Sequence, residues 1–452
     1  MTRRALLDDA RSTLRLALPL IAGQVSQMLM GVIDTAMIGR IGVTPLAAAA
    51  LVTNLSHLPL VFGIGVLTAV SVKVSQARGA GAPEVARSVL RQGLWIALGA
   101  GGLTVAAAFL LPPILGKLDQ DPEVVAATSP FLQLIAWSLV PAFLGMAVKN
   151  HADAMNHPWP PFWITFAGVL LNVVLNWIMI YGNLGSPALG LAGAGIATLI
   201  ARTAIFIGMI AWCRTSPNLR EWIPRHWFRR PIRQEVTALI RLGLPSALQM
   251  LAEVSAFVGA GLLIGTLGKE ALAAHQVALV VAASIFMVPL GLSMAVTVRT
   301  GAAVGGGDRG AARRILGGAL LLAAGFTALS LGGIIGGRRI IASWFVTDAA
   351  TLEAAAGLLF ISAIFQTSDA IQVISAGALR GLEDVHFPAN AAFAAHWLLG
   401  LPLGWFLAFR HGMGVDGIWW GLTVGLTSCA VLFNARFWMR TARTPTDHLL
   451  QG

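Results

Sequence analysis

The chain of 452 residues is 56% hydrophobic and only 11% charged. Soluble domains carry roughly a quarter charged residues, so this composition excludes an ordinary soluble protein and indicates an integral membrane protein. The formal net charge is +11, but the basic residues follow the loops between apolar segments, which argues against a nucleic-acid-binding protein.

Apolar segments of about twenty residues recur along the whole chain, and each is long enough to cross a ~30 Å hydrocarbon core as a helix. Twelve of them are centred near residues 26, 61, 104, 139, 171, 200, 252, 286, 326, 366, 398 and 428. The first is too long for the apolar core of a signal peptide, so we interpret it as the first spanning helix. The sequence predicts an all-α integral membrane protein with twelve transmembrane helices.

Lysine and arginine concentrate in alternate loops. The basic clusters are Arg3–Arg15, Lys73–Arg91, Arg214–Arg233, Arg299–Arg314 and Arg436–Arg443. Arg338 and Arg339, after the ninth span, are an exception to the alternation. This positive-inside pattern predicts a multi-pass protein of the cell (inner) membrane with both termini in the cytoplasm.

The two halves of the chain repeat each other. Residues 18–87 align with residues 244–313 without a gap, and Pro19 falls on Pro245. Six spans per repeat give both halves the same orientation, an arrangement in which transporters bind substrate between two pseudo-symmetric six-helix lobes. The predicted domains are an N-terminal lobe of residues 1–212, a cytoplasmic linker of residues 213–238 and a C-terminal lobe of residues 239–452.

Three acidic residues, Asp34, Glu253 and Asp369, each lie inside a different apolar segment. A charged side chain in the middle of a bilayer costs about 3 kcal/mol on insertion scales, so each must face a cavity or a partner. An amide would join helices at lower cost than a carboxyl group, so we favour proton or cation handling over a structural role for these three residues.

Amide side chains accompany the acids at helical spacing. The candidates are Gln24 and Gln27 on the first span, Asn172 and Asn176 on the fifth, Gln249 on the seventh, and Gln366 and Gln372 on the tenth. Amides reduce the desolvation cost of a carboxylate without neutralising it, which suits transient cation binding. Interhelical hydrogen bonding explains single glutamines equally well.

Several basic residues have structural explanations. Arg40, Lys149 and Arg380 fall near span ends, where snorkelling to the interface explains them. The arginine-rich linker carries apolar side chains that we expect to lie on the anionic leaflet. These are Trp222, Ile223, Trp227 and Phe228.

Other chemistries lack their usual residues. Cys213 and Cys429 provide no disulfide framework or metal cluster, and no pair among His57, His275 and His396 has metal-ligand spacing. The sequence contains no G-x-x-x-x-G-K-[ST] phosphate loop and no H-E-x-x-H or G-x-S-x-G motif. We therefore expect neither an enzyme nor a cofactor, and no direct use of ATP.

The first segment, LPLIAGQVSQMLMGVIDTAMIGRIG, its echo LPSALQMLAEVSAFVGAGLLIGTLGKEALAAHQ and the later stretch SDAIQVISAGALRGLEDVHFP resemble the multidrug and toxic compound extrusion (MATE) family. The similarity covers essentially all twelve spans. Because the seventh span carries a glutamate, Glu253, the chain resembles the NorM-like branch of that family. The resemblance implies that Glu253 and Asp369 form a cation site in the C-terminal lobe. It also implies that Asp34, Asn172 and Asn176 form a polar cluster in the N-terminal lobe.

The activity implied by the resemblance is antiport, in which entry of H⁺ or Na⁺ drives export of bulky, amphipathic, often cationic compounds by a monomer. Asp34, Glu253 and Asp369 are candidate ligands of Na⁺. Phe365, one turn before Asp369, offers no oxygen where some relatives carry tyrosine, which weakens direct Na⁺ coordination. The alternative is a flippase for a lipid-linked precursor from the same superfamily, but the acidic intramembrane charges disfavour a pyrophosphate cargo.

Overall fold

The computed structural model describes residues 3–111 and 122–442, and every regular element in them is helical. Twelve of the helices are long and apolar enough to cross a membrane. They are α1 Arg3–Gly39, α2 Val43–Gly79, α3 Pro83–Leu110, α4 Pro122–Ala154, α5 Trp159–Tyr181, α6 Gly190–Thr215, α7 Arg233–Gly265, α8 Lys269–Gly305, α9 Arg309–Ser343, α10 Ala349–Gly381, α11 His386–Phe409 and α12 Gly414–Arg440. Each predicted segment centre falls inside one of these helices, which confirms the predicted fold class. Arg443, the last residue of the final basic cluster, lies outside the described residues.

Contacts within the chain define two compact units. The N unit is Ala22–Leu248, and the C unit combines Met1–Ile21 with Gln249–Gly452. The boundaries therefore fall inside α1 and α7, a few residues after Pro19 and Pro245, rather than in a loop. The division into lobes of residues 1–212 and 239–452 with a cytoplasmic linker of residues 213–238 stays a prediction.

An ionic cluster explains why the start of α1 belongs to the C unit. The carboxylate of Asp9 accepts from Arg299 Nη2 at 2.7 Å and from Arg314 Nε at 3.2 Å. Arg299 Nη1 also donates to the carbonyl oxygen of Asp9 at 2.6 Å. These charge-assisted bonds attach the first turns of α1 to α8 and α9.

Glycines at corresponding positions of the two halves have matching backbone conformations. Gly42 and Gly268 have φ of 137° and 120°, and Gly81 and Gly307 have φ of 66° and 78°. Such positive φ values are readily adopted only by glycine, so each half keeps glycine where its first helices are joined. The shared geometry supports the internal repeat.

Helix packing depends on glycines at two corresponding positions. A Cβ on Gly65 of α2 would overlap the backbone of Ala247 on α7, and one on Gly291 of α8 would overlap Ile21 on α1. Small residues of this kind allow membrane helices to approach closely.

We expect Gly65→Ala to destabilise the protein by about 1–3 kcal/mol, because the added methyl group forces two backbones apart. Gly102 on α3 is the matched control, since a Cβ there meets nothing within 4 Å. Gly102→Ala should raise stability by up to about 1 kcal/mol through helix propensity. Thermal unfolding of the two purified variants in one detergent measures the difference. Equal melting temperatures would contradict the assigned close approach.

The linker differs from its predicted form. The segment between α6 and α7 covers residues 216–232 and consists of turns and the 3₁₀ helix Pro217–Leu219. Ile223 and Trp227 are buried within the protein, whereas Phe228 is half exposed and contacts the ring of Trp95. The prediction that all four apolar side chains lie on the leaflet is wrong for Ile223 and Trp227, because this segment folds back onto α3.

Candidate functional site

Asp34 anchors a polar cluster inside the N unit. Asn176 of α5 donates to Asp34 Oδ1 at 2.5 Å and is joined to Asn172 Oδ1 at 3.1 Å. Asn172 in turn donates to Thr198 Oγ1 of α6 at 3.4 Å. The helical spacing of the two asparagines places both on the face of α5 that meets α1 and α6. The structure thus brings together the three residues that the family resemblance implied for this cluster.

A cavity of about 850 Å³ opens beside this cluster within the N unit. Gln27 and Asp34 both line it, and so do apolar side chains of five helices, α1, α2, α4, α5 and α6. Methionines are frequent in the lining, at Met28, Met30, Met146 and Met209. Methionine side chains repack around ligands of different shape, so this cavity suits varied apolar molecules.

Two basic residues line the same cavity, and sequence reasoning assigned neither to a site. Arg202 lies near the middle of α6, and its Nη1 donates to Ser138 Oγ at 2.7 Å. Its charge also attracts the carboxylate of Asp34 electrostatically. The sequence could have identified Arg202 as a candidate site residue, because a guanidinium so far from both helix ends cannot snorkel to the interface.

Lys149 does not snorkel as predicted. Its ammonium group pairs with Asp153 Oδ2 at 2.7 Å, and the two side chains are only 11% and 3% exposed. The positive charge of Lys149 is therefore compensated inside the protein, one turn from the end of α4.

Glu253 anchors a second polar cluster, which belongs to the C unit. Gln249 Nε2 donates to Glu253 Oε1 at 3.1 Å, and Gln372 of α10 donates to the same oxygen. Asp369, one turn before Gln372, interacts electrostatically with Glu253. Among the described residues Asp369 has no hydrogen-bond partner. The structure brings together four predicted residues, but Gln366 donates to Ser362 at 3.4 Å instead of joining them.

Aromatic rings surround one side of the second cluster. Phe365 is buried and packs edge-to-face against Phe257 and Trp419. Trp419 Nε1 donates to His275 Nδ1 at 3.2 Å, so this histidine has a hydrogen-bonding role. Phe365 lies one turn before Asp369 on α10, and its ring supplies no oxygen ligand.

Arg380 is buried rather than snorkelling, which corrects the sequence-based interpretation. Its Nη2 donates to Ser293 Oγ at 3.1 Å, and its charge attracts Glu253. The guanidinium of Arg380 is therefore held inside the C unit, on the same helix as Asp369 and Gln372. In the part of the chain that the structure describes, no group of three or more His, Cys, Asp or Glu side chains could hold a metal ion.

Comparisons with known proteins agree with this architecture. The MatE family profile matches residues 19–178 and 245–406. The "Probable multidrug resistance protein NorM" of Bradyrhizobium diazoefficiens is 38% identical over 442 residues, which are 97% of this chain and 95% of that protein. The "Multidrug resistance protein MdtK" of Yersinia pseudotuberculosis is 34% identical, with 98% of each chain covered.

Solved structures of the same fold are similar along the whole chain. The "eukaryotic MATE transporter AtDTX14" superimposes with a TM-score of 0.88 at 21% identity, covering 98% of this chain and all of that one. The Vibrio cholerae MATE transporter VcmN in its bent form has a TM-score of 0.84 at 22% identity, with 97% of this chain and 98% of that one covered.

Proposed function

Because this chain belongs to the MATE family, in its NorM-like branch, we propose that it is a multidrug exporter driven by protons entering the cell. The single observation that carries this proposal is that Gln372, one turn from Asp369 on α10, and Gln249 both donate to the carboxylate of Glu253 in the C unit. Two neighbouring carboxylates in an apolar environment repel each other, so a bound cation stabilises them. The pair is thus suited to load and release one coupling ion.

A proton fits this cluster better than Na⁺. A sodium ion needs several oxygen ligands at once, whereas the aromatic wall around Phe365 offers none. A proton needs only one carboxylate oxygen, and the amides of Gln249 and Gln372 hold Glu253 in place without neutralising it. We therefore assign proton coupling to Glu253 and Asp369.

We assign drug binding to the cavity of the N unit. Its methionine-rich lining accepts apolar ring systems, and Asp34 attracts a positively charged group. This supports amphipathic organic cations as substrates. Thr198 and Asn176 hold the cluster around Asp34 without supplying a second negative charge.

Export follows if proton and drug favour different conformations of the same protein. In the proposed cycle the protein resides in the inner membrane with its termini in the cytoplasm and works as a monomer by alternating access. The acid in the cavity favours a cationic cargo over the pyrophosphate of a lipid-linked precursor.

Everted membrane vesicles from cells that express the protein test this function. When respiration acidifies the vesicle interior, the vesicles should accumulate rhodamine 123, an apolar cation, and a protonophore should abolish the accumulation. Vesicles that accumulate no more dye than those from cells lacking the protein would contradict the proposed function.

A further inference from the structure

We propose that a basic cavity at the end of α6 binds an anionic phospholipid, with the lipid phosphate at the arginines of the cavity. This linker cavity has a volume of about 790 Å³ and belongs to the N unit. Its lining residues are Arg214, Arg225, His226, Trp227, Phe228 and Arg229. The site shares no lining residue with the cavity around Asp34, so the inference goes beyond the proposed export function.

The arginines of the linker cavity carry charges that the protein leaves without compensation. Among the described residues, no carboxylate oxygen lies within 4.0 Å of a side-chain nitrogen of Arg214, Arg225 or Arg229. All three side chains are exposed. Residues 214–233 contain six arginines, whereas Glu221 is the only acidic residue in that stretch. The guanidinium groups are therefore available to an anion.

The C unit has a similar helix end but neutralises it. Three residues at the end of α6 recur at the end of α12, at the spacing that relates residues 18–87 to residues 244–313: Trp212, Arg214 and Thr215 match Trp438, Arg440 and Thr441. Arg440 Nε donates to Asp384 Oδ2 at 3.0 Å, and Arg436 Nε donates to the same oxygen at 2.7 Å. The C unit thus supplies its own carboxylate to this arginine position.

The turn that carries Asp384 has a counterpart in the N unit. Asp384 follows Glu383, whose φ is 61°, and its N–H donates to a carbonyl oxygen of α10 five residues earlier at 3.0 Å. After α4, Asn156 has a φ of 65°, and the N–H of His157 donates to a carbonyl oxygen five residues earlier, also at 3.0 Å. His157 therefore takes the place that Asp384 has in the C unit. The acid that would neutralise Arg214 is absent from this position, which leaves the charge for an external anion.

The linker cavity lies at the depth of the lipid headgroups. Residues 94–110 of α3 contain no charged side chain, whereas Arg91 lies one turn before Trp95. Trp95 is thus at the start of the apolar part of α3, where tryptophan rings favour the membrane–water interface. Trp95 Nε1 donates to the carbonyl oxygen of Arg229 at 2.9 Å, and the ring of Phe228 packs edge-to-face against it at 6.3 Å. These contacts hold the cavity at the interface.

A phospholipid matches both the charge and the apolar part of this site. Phosphate oxygens accept charge-assisted hydrogen bonds from guanidinium groups, and anionic lipids attract basic segments beside spanning helices. The side chain of Phe228 is 52% exposed beside the arginines and can contact an acyl chain. A soluble phosphate compound would leave this ring in water. The combination of arginines and an exposed ring therefore favours a lipid as the source of the phosphate.

Native mass spectrometry of the purified full-length protein in detergent tests the inference, because it resolves each bound lipid. Dioleoyl-phosphatidylglycerol is titrated, and the dissociation constant of the first bound lipid is measured. The double variant Arg225→Gln/Arg229→Gln removes two charges from the cavity and keeps the backbone carbonyl that Trp95 contacts. Its matched control, Arg220→Gln/Arg230→Gln, removes two exposed charges from the same linker outside the cavity.

The cavity variant should bind the first phosphatidylglycerol about tenfold or more weakly than wild type, because hydrogen bonds between charged groups are lost. The control variant should stay within about twofold of wild type. Phosphatidylcholine, whose headgroup has no net charge, should bind all three proteins equally, which also demonstrates that the variants are folded. Glycerophosphoglycerol, the soluble headgroup without acyl chains, should not displace the lipid at equal concentration. If the cavity variant does not accumulate, Arg225→Gln is compared with Arg220→Gln instead.

Three results would overturn the inference. Equal losses in both double variants would mean that lipid binding follows the net charge of the linker and not the cavity. Unchanged affinity in the cavity variant would mean that the lipid binds elsewhere. Displacement by glycerophosphoglycerol at equal concentration would identify a site for a soluble phosphate compound and refute lipid binding.

Discussion

We expect Asp369→Asn and Glu253→Gln each to reduce proton-driven dye export to the level of protein-free liposomes, while both variants reach the membrane in normal amounts. Each substitution removes one carboxyl group and keeps nearly the same shape. The amide at position 253 can still accept hydrogen bonds from Gln249 and Gln372. The neutral side chains can no longer gain and lose a proton, so the driving force is disconnected from export.

Glu353→Gln is the matched control for these two variants. Glu353 lies on α10, the helix of Asp369, but its side chain is 58% exposed and pairs with Arg339 at 3.1 Å. Isolated exposed ion pairs contribute little, so this change should leave export within about twofold of wild type. Wild-type export by well-expressed Asp369→Asn or Glu253→Gln would refute the coupling role.

Asp34→Asn should weaken binding of rhodamine 123 to the purified protein by about ten- to hundredfold. A hydrogen bond or ion pair to a charged group is worth about 1.5–3 kcal/mol, and each 1.4 kcal/mol changes affinity about tenfold. The variant should fold normally, because an asparagine oxygen still accepts the hydrogen bond from Asn176. Fluorescence anisotropy of the dye in detergent measures the dissociation constant.

Asp369→Asn provides the comparison for this binding experiment. Its carboxyl group belongs to the C unit cluster, so the variant should bind rhodamine 123 within about twofold of wild type although it exports none. Binding lost in Asp369→Asn but kept in Asp34→Asn would reverse the roles that we assign to the two clusters.

The twelve spans and their order could be predicted because the bilayer requires each crossing to be a long, nearly continuous apolar helix. The three intramembrane acids could also be recognised from the sequence, because a carboxyl group inside an apolar span is costly unless it faces a cavity or a partner. The spacing of Asn172 and Asn176 further indicated one helical face, and the structure places both beside Asp34. These features depend on local sequence alone.

The remaining parts depend on contacts between distant segments. Lys149 and Arg380 are close enough to helix ends to snorkel. Only the packed structure reveals that Lys149 forms an ion pair with Asp153 instead. It likewise reveals that Arg380 donates a hydrogen bond to Ser293. Gln366 has the spacing of the tenth-span stripe but bonds within its own helix. Helical periodicity predicts on which side of its helix a residue lies, but it does not predict which residue of another helix it contacts.

The burial of Ile223 and Trp227 in the linker also depends on contacts between distant segments. Tryptophans among arginines are typical of a membrane surface, and Trp227 satisfies that pattern while packing inside the protein under Arg214. Composition describes the chemistry of such a segment. Its position follows from hydrogen bonds and a ring contact with side chains of α3, which no local pattern encodes.

The most direct test of proton coupling is dye transport by the purified protein in proteoliposomes, first under an imposed pH gradient without Na⁺ and then under a Na⁺ gradient at uniform pH. We expect export of rhodamine 123 on the pH gradient alone and background rates on the Na⁺ gradient, because Glu253 or Asp369 needs only one carboxylate oxygen to take a proton, and Phe365, one turn before Asp369, supplies no oxygen for Na⁺. Export that requires the Na⁺ gradient would contradict the assigned proton coupling, and no export under either gradient would contradict the transporter function as a whole.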